Sequence, residues 1–428
     1  MIALNKKVYV GANGCHENRN DAARIQEFFI QNGWAVTSDF KKADLILFKA
    51  CGALQTLNAE SSDIINHLQA QKKSSADLIV GGCLSKNNHN LLRKIYRGPT
   101  FGPDEFEKLD EIFNQKTKAQ DIHANSLLPY TDFYKKYKKI SCALRDPGVF
   151  ITAVKWLTGK HFERLQAAIS VVSHPRTFFI KISTGCLCHC SFCSPRLARG
   201  TLKSKPVEKI VDEFEKGLRK GYTEFGLIGT DIGSYGRDHD VTLVTLLSEL
   251  IKSNGDYKIK LRNLNPKFLI EMMPDLRKIF RSGKISYILT GVQSGNNRIL
   301  KLMNRGYDIE DFKEAILTLN REFPKIQIRT QVIVGFPSET DEEYRDTARL
   351  LDELSFDVVD VFMFNPMPNT GAAKLGGQIP RRVIKRRFVK LYLRSMFNGL
   401  EKKRRALKEL KKNKKNIVRQ IKRLGPSE

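Results

Sequence analysis

TFFIKISTGCLCHCSFCSPRLARG, residues 177–200, is the stretch on which the fold turns. Its first six residues, Thr177 to Ile182, are mostly apolar and rich in aromatic and β-branched side chains, which reads as a buried strand. A loop carrying four cysteines follows at once. Downstream the same strand signal returns at Phe225–Ile228, Ile259–Leu261, Ile285–Leu289, Ile326–Ile328 with Val332–Val334, and Val358–Phe362. Helix-period segments lie between them, among them Val207–Leu218, Leu243–Ile251, Phe312–Leu319 and Glu342–Leu354. Strands that each lead into a helix predict an open or partial (β/α)6 barrel over 176–375, with its ligand edge at the carboxyl ends of the strands.

Upstream, residues 1–115 show a shorter version of this rhythm. Val8-Tyr9-Val10, a helix near 19–32, Leu45–Phe48, a helix near 56–70 and Leu78-Ile79-Val80 predict a parallel-sheet α/β domain. One cysteine follows each strand: Cys15, Cys51 and Cys83. Each βα unit returns the chain to the same sheet edge, so the three thiols are expected on one rim, as a metal or cluster site. Buried structural cysteine is the competing reading for any one of them.

In the loop after Ile182, Cys186, Cys190 and Cys193 are spaced C-x3-C-x2-C, with Phe192 before the last. Three thiolates on a four-iron cubane leave one iron open to chelate a substrate or cofactor. A structural zinc site would want a second Cys/His pair, and only His189 lies nearby. Cys188 is additional, and neither it nor Cys142 has an evident role.

The chain has 428 residues, of which 41% are hydrophobic and 28% charged, a globular profile long enough for two to four domains. No apolar run is long enough to span a bilayer, and the N-terminus MIALNKKVYV has no secretory segment. With eight cysteines and no export signal, reduced thiols in the cytoplasm are expected. The net charge of +27 favours a polyanionic partner. Residues 116–175 break the strand-helix rhythm and read as an insertion. After Pro380 the chain turns basic: Arg381–Glu428 has 19 Lys/Arg against 3 Asp/Glu, which predicts a helical tail in nucleic-acid contact rather than a solvated helix face.

Together these features resemble the radical S-adenosylmethionine (radical SAM) methylthiotransferases. That family includes tRNA 2-methylthioadenosine enzymes and an enzyme that methylthiolates a ribosomal-protein aspartate. The resemblance covers about 5–115 and 176–380. Its GCxxNxxD pattern stands as Gly14-Cys15-His16-Glu17-Asn18-Arg19-Asn20-Asp21, and its radical motif as Gly185-Cys186 through Cys193, then Pro195 and Arg199-Gly200. Leu227–Asp238, Val292–Tyr307, Val332–Thr340 and Gly376–Pro380 match its later signatures in order.

The resemblance implies two [4Fe-4S] clusters, an auxiliary one on Cys15, Cys51 and Cys83 and a SAM-binding one on Cys186, Cys190 and Cys193. It implies SAM contacts from Phe192, Gly229, Asp231, Gln293 and Thr330. The implied chemistry is a 5′-deoxyadenosyl radical that takes hydrogen from an unactivated C–H bond, after which sulfur and a methyl group are added. The implied partners are tRNA, held by the basic tail, and an electron donor such as a flavodoxin or ferredoxin, with no membrane.

The chain departs from the pattern at Lys49-Ala50, Gln331, Ser338 and Met367–Thr370, and the tail stands where the β-rich TRAM module usually does. KISTGCL and GSYGRD look closest to the branch acting on threonylcarbamoyladenosine in tRNA. Two alternatives stay open: the same chemistry on a peptide, protein or metabolite, and a non-catalytic metal-stapled RNA-binding protein.

Overall fold

The computed structural model describes residues 6–129 and 177–395. Most of the insertion read over 116–175, Cys142 within it and the last part of the basic tail lie outside these residues.

The N-terminal domain is a five-stranded, wholly parallel sheet of order β2-β1-β3-β4-β5. Its strands are β1 (Lys7–Ala12), β2 (Ala35–Val36), β3 (Leu45–Lys49), β4 (Asp77–Gly81) and β5 (Thr100–Phe101). Strands β1, β3 and β4 are almost continuously buried because helices cover both faces. Helix α1 (His16–Gln31) places Ile25, Phe28 and Phe29 in one core layer with Val8 and Val10. Helix α2 (Gln55–Gln71) places Ile64, Ile65 and Leu68 in the other. The two-residue edge strands β2 and β5 carried no readable sequence period.

The second domain is a six-stranded parallel sheet of order β13-β12-β11-β10-β9-β6. In chain order its strands are β6 (Thr177–Lys181), β9 (Glu224–Ile228), β10 (Lys258–Leu261), β11 (Ile285–Leu289), β12 (Gln327–Val334) and β13 (Val358–Met363). Each pairs with the next, so the sheet winds in one direction and stays open between β6 and β13. This is a partial (β/α)6 barrel. A two-stranded ribbon, β7 (Ser183–Thr184) with β8 (Lys203–Ser204), closes the base of the cysteine loop. Its strands are too short to show alternation.

Residues 116–129 form a strap over the N-terminal domain. Arg24 donates to the carbonyls of Ala119 and Gln120, and Asn20 to those of Ala124 and Ser126. The strap then meets β6, where the Phe179 amide donates to the Asn125 carbonyl at 2.9 Å and Asn125 Nδ2 returns a bond to the Phe179 carbonyl at 3.1 Å.

The first part of the basic tail is a docked helix over 381–395. Ile384 and Leu391 are buried in the barrel core, Arg387 is buried against Glu339 and Asp341, and Arg394 pairs with Asp352. Apolar residues at i and i+7 anchor this stretch and Arg387 and Arg394 serve internal ion pairs, while Arg381, Arg382, Lys385, Arg386 and Lys390 stay exposed. No helix among the described residues is long and apolar enough to cross a membrane.

Candidate active site

Cys15, Cys51 and Cys83 stand directly after β1, β3 and β4, three neighbouring strands, so their loops lie side by side at one sheet edge. Close packing holds the loops together. Gly14 has φ +85°, and a Cβ there would sit 2.5 Å from Cys51 Sγ; only a residue without a side chain leaves room for that sulfur. Asn13 Oδ1 accepts from the Cys51 amide at 2.8 Å, and Asn18 Nδ2 donates to the carbonyls of Asn13 and Lys49, both at 2.8 Å. Cys51 and Cys83 are buried, whereas Cys15 is solvent-accessible.

Burial raises all three thiols above their ordinary range, Cys83 to about 12, and they repel one another electrostatically. Three thiols on three adjacent loops fit an iron–sulfur cluster better than a hard cation.

The second set lies on the loop between β7 and the short helix Ser194–Arg199. Cys186, Cys190, Phe192, Cys193, Asp231 and Gln293 line one cavity of about 200 Å3, which Asn263, Asn265, Arg305 and Gln331 complete. Burial and the neighbouring Cys190 push Cys193 up to about 12. Cys186 is raised first by its hydrogen bond with Cys188, then by burial and by Asp231, which lies 3.6 Å away. Burial raises Asp231 to about 6, although the amides of Gly233 and Asn265 donate to its Oδ1.

Cys188, additional to the motif, accepts from Asn265 Nδ2 at 3.2 Å. Its sulfur, the Cys186 sulfur and an Asp231 carboxylate oxygen all lie within 4.8 Å of one another. Gln293 adopts φ +73°, strained for a residue with a side chain, and its amide bonds to the Gln331 carbonyl at 2.8 Å.

Two of the expected contact residues do not line this cavity. Thr330 is fully buried, and its hydroxyl donates to the Thr290 carbonyl at 2.7 Å, tying β12 to the end of β11. Gly229 packs against Ser183, which a Cβ would strike at 2.8 Å.

The segments that carry the two thiol sets meet across the domain seam. Glu17 Oε1 accepts from Thr230 Oγ1 at 3.2 Å, which links the residue two beyond Cys15 to the neighbour of Asp231. Ser194, next to Cys193, donates to the Ala53 carbonyl at 3.0 Å, two residues beyond Cys51. Below them lies a buried ion cluster. Arg199 contacts Asp21 at 3.0 Å, Asp104 at 3.1 Å and Glu17 at 3.4 Å, and Lys181 contacts Asp21 at 2.9 Å and Asp104 at 3.1 Å. Three carboxylates thus face Arg199, Lys181 and the buried Lys49. Asp21 and Arg199 could be singled out in the sequence only as separate motif letters; their pairing shows what both are for.

Comparison with known proteins agrees with this arrangement. Residues 180–351 match the radical SAM superfamily, and residues 7–99 match the uncharacterized protein family UPF0004. The ribosomal protein uS12 methylthiotransferase RimO of Thermodesulfovibrio yellowstonii is 32% identical over 397 residues, covering 91% of this chain and 83% of the relative. The chain belongs to the radical SAM methylthiotransferase family.

Other relatives include the threonylcarbamoyladenosine tRNA methylthiotransferase MtaB of Aquifex aeolicus, 30% identical over 87% of this chain and 84% of its own. The tRNA-2-methylthio-N(6)-dimethylallyladenosine synthase of Bdellovibrio bacteriovorus is 26% identical over 91% and 80%. Among solved structures, the radical SAM methyltransferase TsrM of Kitasatospora setae shares the fold with TM-score 0.56 at 14% identity, over 86% of this chain and 77% of that one. This methylthiotransferase is accordingly a transferase whose cofactors are S-adenosylmethionine and [4Fe-4S] clusters.

Sequence reasoning missed Asn263, Asn265, Gln331 and Arg305 as cavity residues. Arg305 and Gln331 lay in quoted signatures or departures, but nothing in their spacing told an inward from an outward side chain.

Proposed function

We propose that Cys186, Cys190 and Cys193 hold the SAM-binding cluster, that Cys15, Cys51 and Cys83 hold an auxiliary cluster, and that the enzyme methylthiolates an adenosine in tRNA, the threonylcarbamoyl form foremost. The observation that carries the two-cluster reading is the pair of bridges, Glu17 to Thr230 and Ser194 to Ala53, which puts the two thiol sets at one seam. Bound SAM and the clusters would supply radical formation, sulfur and methyl. The chain's part is to hold both centres close and exclude water between them. Asp231 and Gln293 offer polar groups at the cavity wall, and the buried ion cluster keeps the two domains in register.

A nucleobase substrate is supported by the side-chain amides of Asn263, Asn265, Gln293 and Gln331, which present donors and acceptors with no net charge. It is also supported by residues 396–428, with twelve Lys/Arg against three Glu, which remain for phosphate contact once the 381–395 helix is docked. Mass spectrometry of tRNA nucleosides from cells with and without this chain tests the reading: loss of a 2-methylthioadenosine species supports it. An unchanged nucleoside profile with loss of a methylthio group from ribosomal protein uS12 replaces it with the protein substrate, whose RimO relative is also similar to this chain. If RNA is the substrate, truncation after Ser395 should weaken tRNA binding and flatten its salt dependence, while leaving iron content and SAM cleavage unchanged.

A further inference from the structure

We propose that Arg305 is a positioning residue that sets how readily the radical-site cluster accepts an electron, by donating a hydrogen bond to the Cys190 sulfur. The inference rests on the assignment of Cys186, Cys190 and Cys193 to that cluster.

Arg305 is 6% exposed. Its Nη1 lies 3.1 Å from Cys190 Sγ, and its Nη2 donates to the Gly291 carbonyl at 2.7 Å, so the guanidinium is fixed at two points. The segment carrying it grips the cysteine loop on both sides of Cys190. Asn304 Nδ2 donates to the His189 carbonyl at 2.9 Å, the Ser191 amide to the Met303 carbonyl at 3.0 Å, and Ser191 Oγ to the Leu302 carbonyl at 2.8 Å. Tyr307, whose ring lies 5.6 Å from the guanidinium, is anchored by its hydroxyl on the Val292 carbonyl at 2.6 Å. The charge around the loop is uneven: Asp231 stands by Cys186, while Arg305 stands by Cys190.

An arginine keeps its charge at every accessible pH. When one electron enters a four-iron cluster, negative charge on its sulfurs rises. A buried cation bonded to one of those sulfurs therefore stabilises the reduced form more than the oxidised form and lifts the potential. No bond is made or broken in this step. The electron comes from a one-electron donor protein of the flavin or iron–sulfur class, or from dithionite in vitro.

The test uses the full chain, anaerobically reconstituted, as wild type, Arg305→Lys and Arg305→Met. Iron content and cluster absorption are measured first, followed by a redox titration read by electron paramagnetic resonance. With iron retained, the potential is expected to fall from wild type to Lys to Met. SAM cleavage driven by a flavodoxin should slow about tenfold to a hundredfold in the Met variant, the scale of one charge-assisted hydrogen bond, and recover with titanium(III) citrate. If Met cannot be loaded, the Lys variant alone decides by its potential. Unchanged potential in an iron-loaded variant, with or without a raised KM for SAM, overturns the proposal, as does loss of the cluster from both variants. A Cys190→Ala chain that keeps its full cluster content would instead overturn the cysteine assignment, so the two failures are told apart.

Discussion

The two thiol sets solve the same problem in opposite ways. Cys186, Cys190 and Cys193 lie within eight residues of one loop, so a short peptide preorganises them and their spacing alone announces the site. Cys15, Cys51 and Cys83 span 69 residues and meet only because β1, β3 and β4 are adjacent parallel strands. One site is written into local sequence, and the other is a property of the folded sheet. The first should survive modest damage to the fold around it, whereas the second should not.

The largest expected effect comes from replacing Cys186, Cys190 and Cys193 together by Ala. Iron should fall to roughly half, the share of one cluster out of two, and 5′-deoxyadenosine formation should disappear. Continued SAM cleavage would break the contrast by showing that the loop is not the radical site. Next, Cys51→Ala should still form 5′-deoxyadenosine while yielding no methylthiolated product; full product formation would remove the auxiliary role of the dispersed set.

A third substitution probes the seam. Arg199 is nearly fully buried among Glu17, Asp21 and Asp104, and Arg199→Gln leaves those carboxylates short of a partner, a loss on the scale of about 3–5 kcal/mol for a buried pair. The first thermal transition should drop, and SAM cleavage should become uncoupled from product.

The pH dependence of the seam has a definite sign. Burial acts against the charge of Asp21 and Asp104, but Lys181, Arg199 and Lys49 hold both below the usual carboxylate range. Their contribution is present above an unfolded-state value of about 4 and is lost as the pH falls through the lower folded values. Glu17, raised chiefly by burial, works in the opposite sense and softens the slope. Limited proteolysis across an acid titration checks this: wild type should loosen below about pH 4, and the Arg199 variant should lose the share that Arg199 contributes while Lys181 keeps the rest.

The smallest effect sharpens the comparison most. Gly14→Ala adds one methyl where Cys51 Sγ would lie 2.5 Å away, in a backbone conformation that costs about 1 kcal/mol or more for alanine. Its loss should be local, with less auxiliary iron and an unchanged radical-site signal in electron paramagnetic resonance.

These outcomes also explain what could be read in advance. The buried strands β1, β3 and β4 announced themselves because parallel strands covered on both sides are runs of Val, Ile, Leu and Phe. The compact cysteine loop announced itself by spacing. Two things stayed hidden: the strap over 116–129, whose hold depends on backbone carbonyls that carry no sequence signature, and the docking of residues 381–395, where apolar anchors Ile384 and Leu391 are diluted by seven Lys/Arg. Gly229 follows the end of β9, as a contact residue would, whereas Thr330 lies inside β12 with its hydroxyl bonded to the Thr290 carbonyl.

The buried ion cluster at the seam bears on modularity. A designer wishing to graft the N-terminal domain of one such protein onto the barrel of another would face more than a linker problem. Asp21 and Glu17 on one side answer to Arg199 and Lys181 on the other, and separating the halves exposes charges that have no other home. Exchange should succeed only when both sides of that electrostatic lock travel together, so the two domains are best regarded as one inheritable unit.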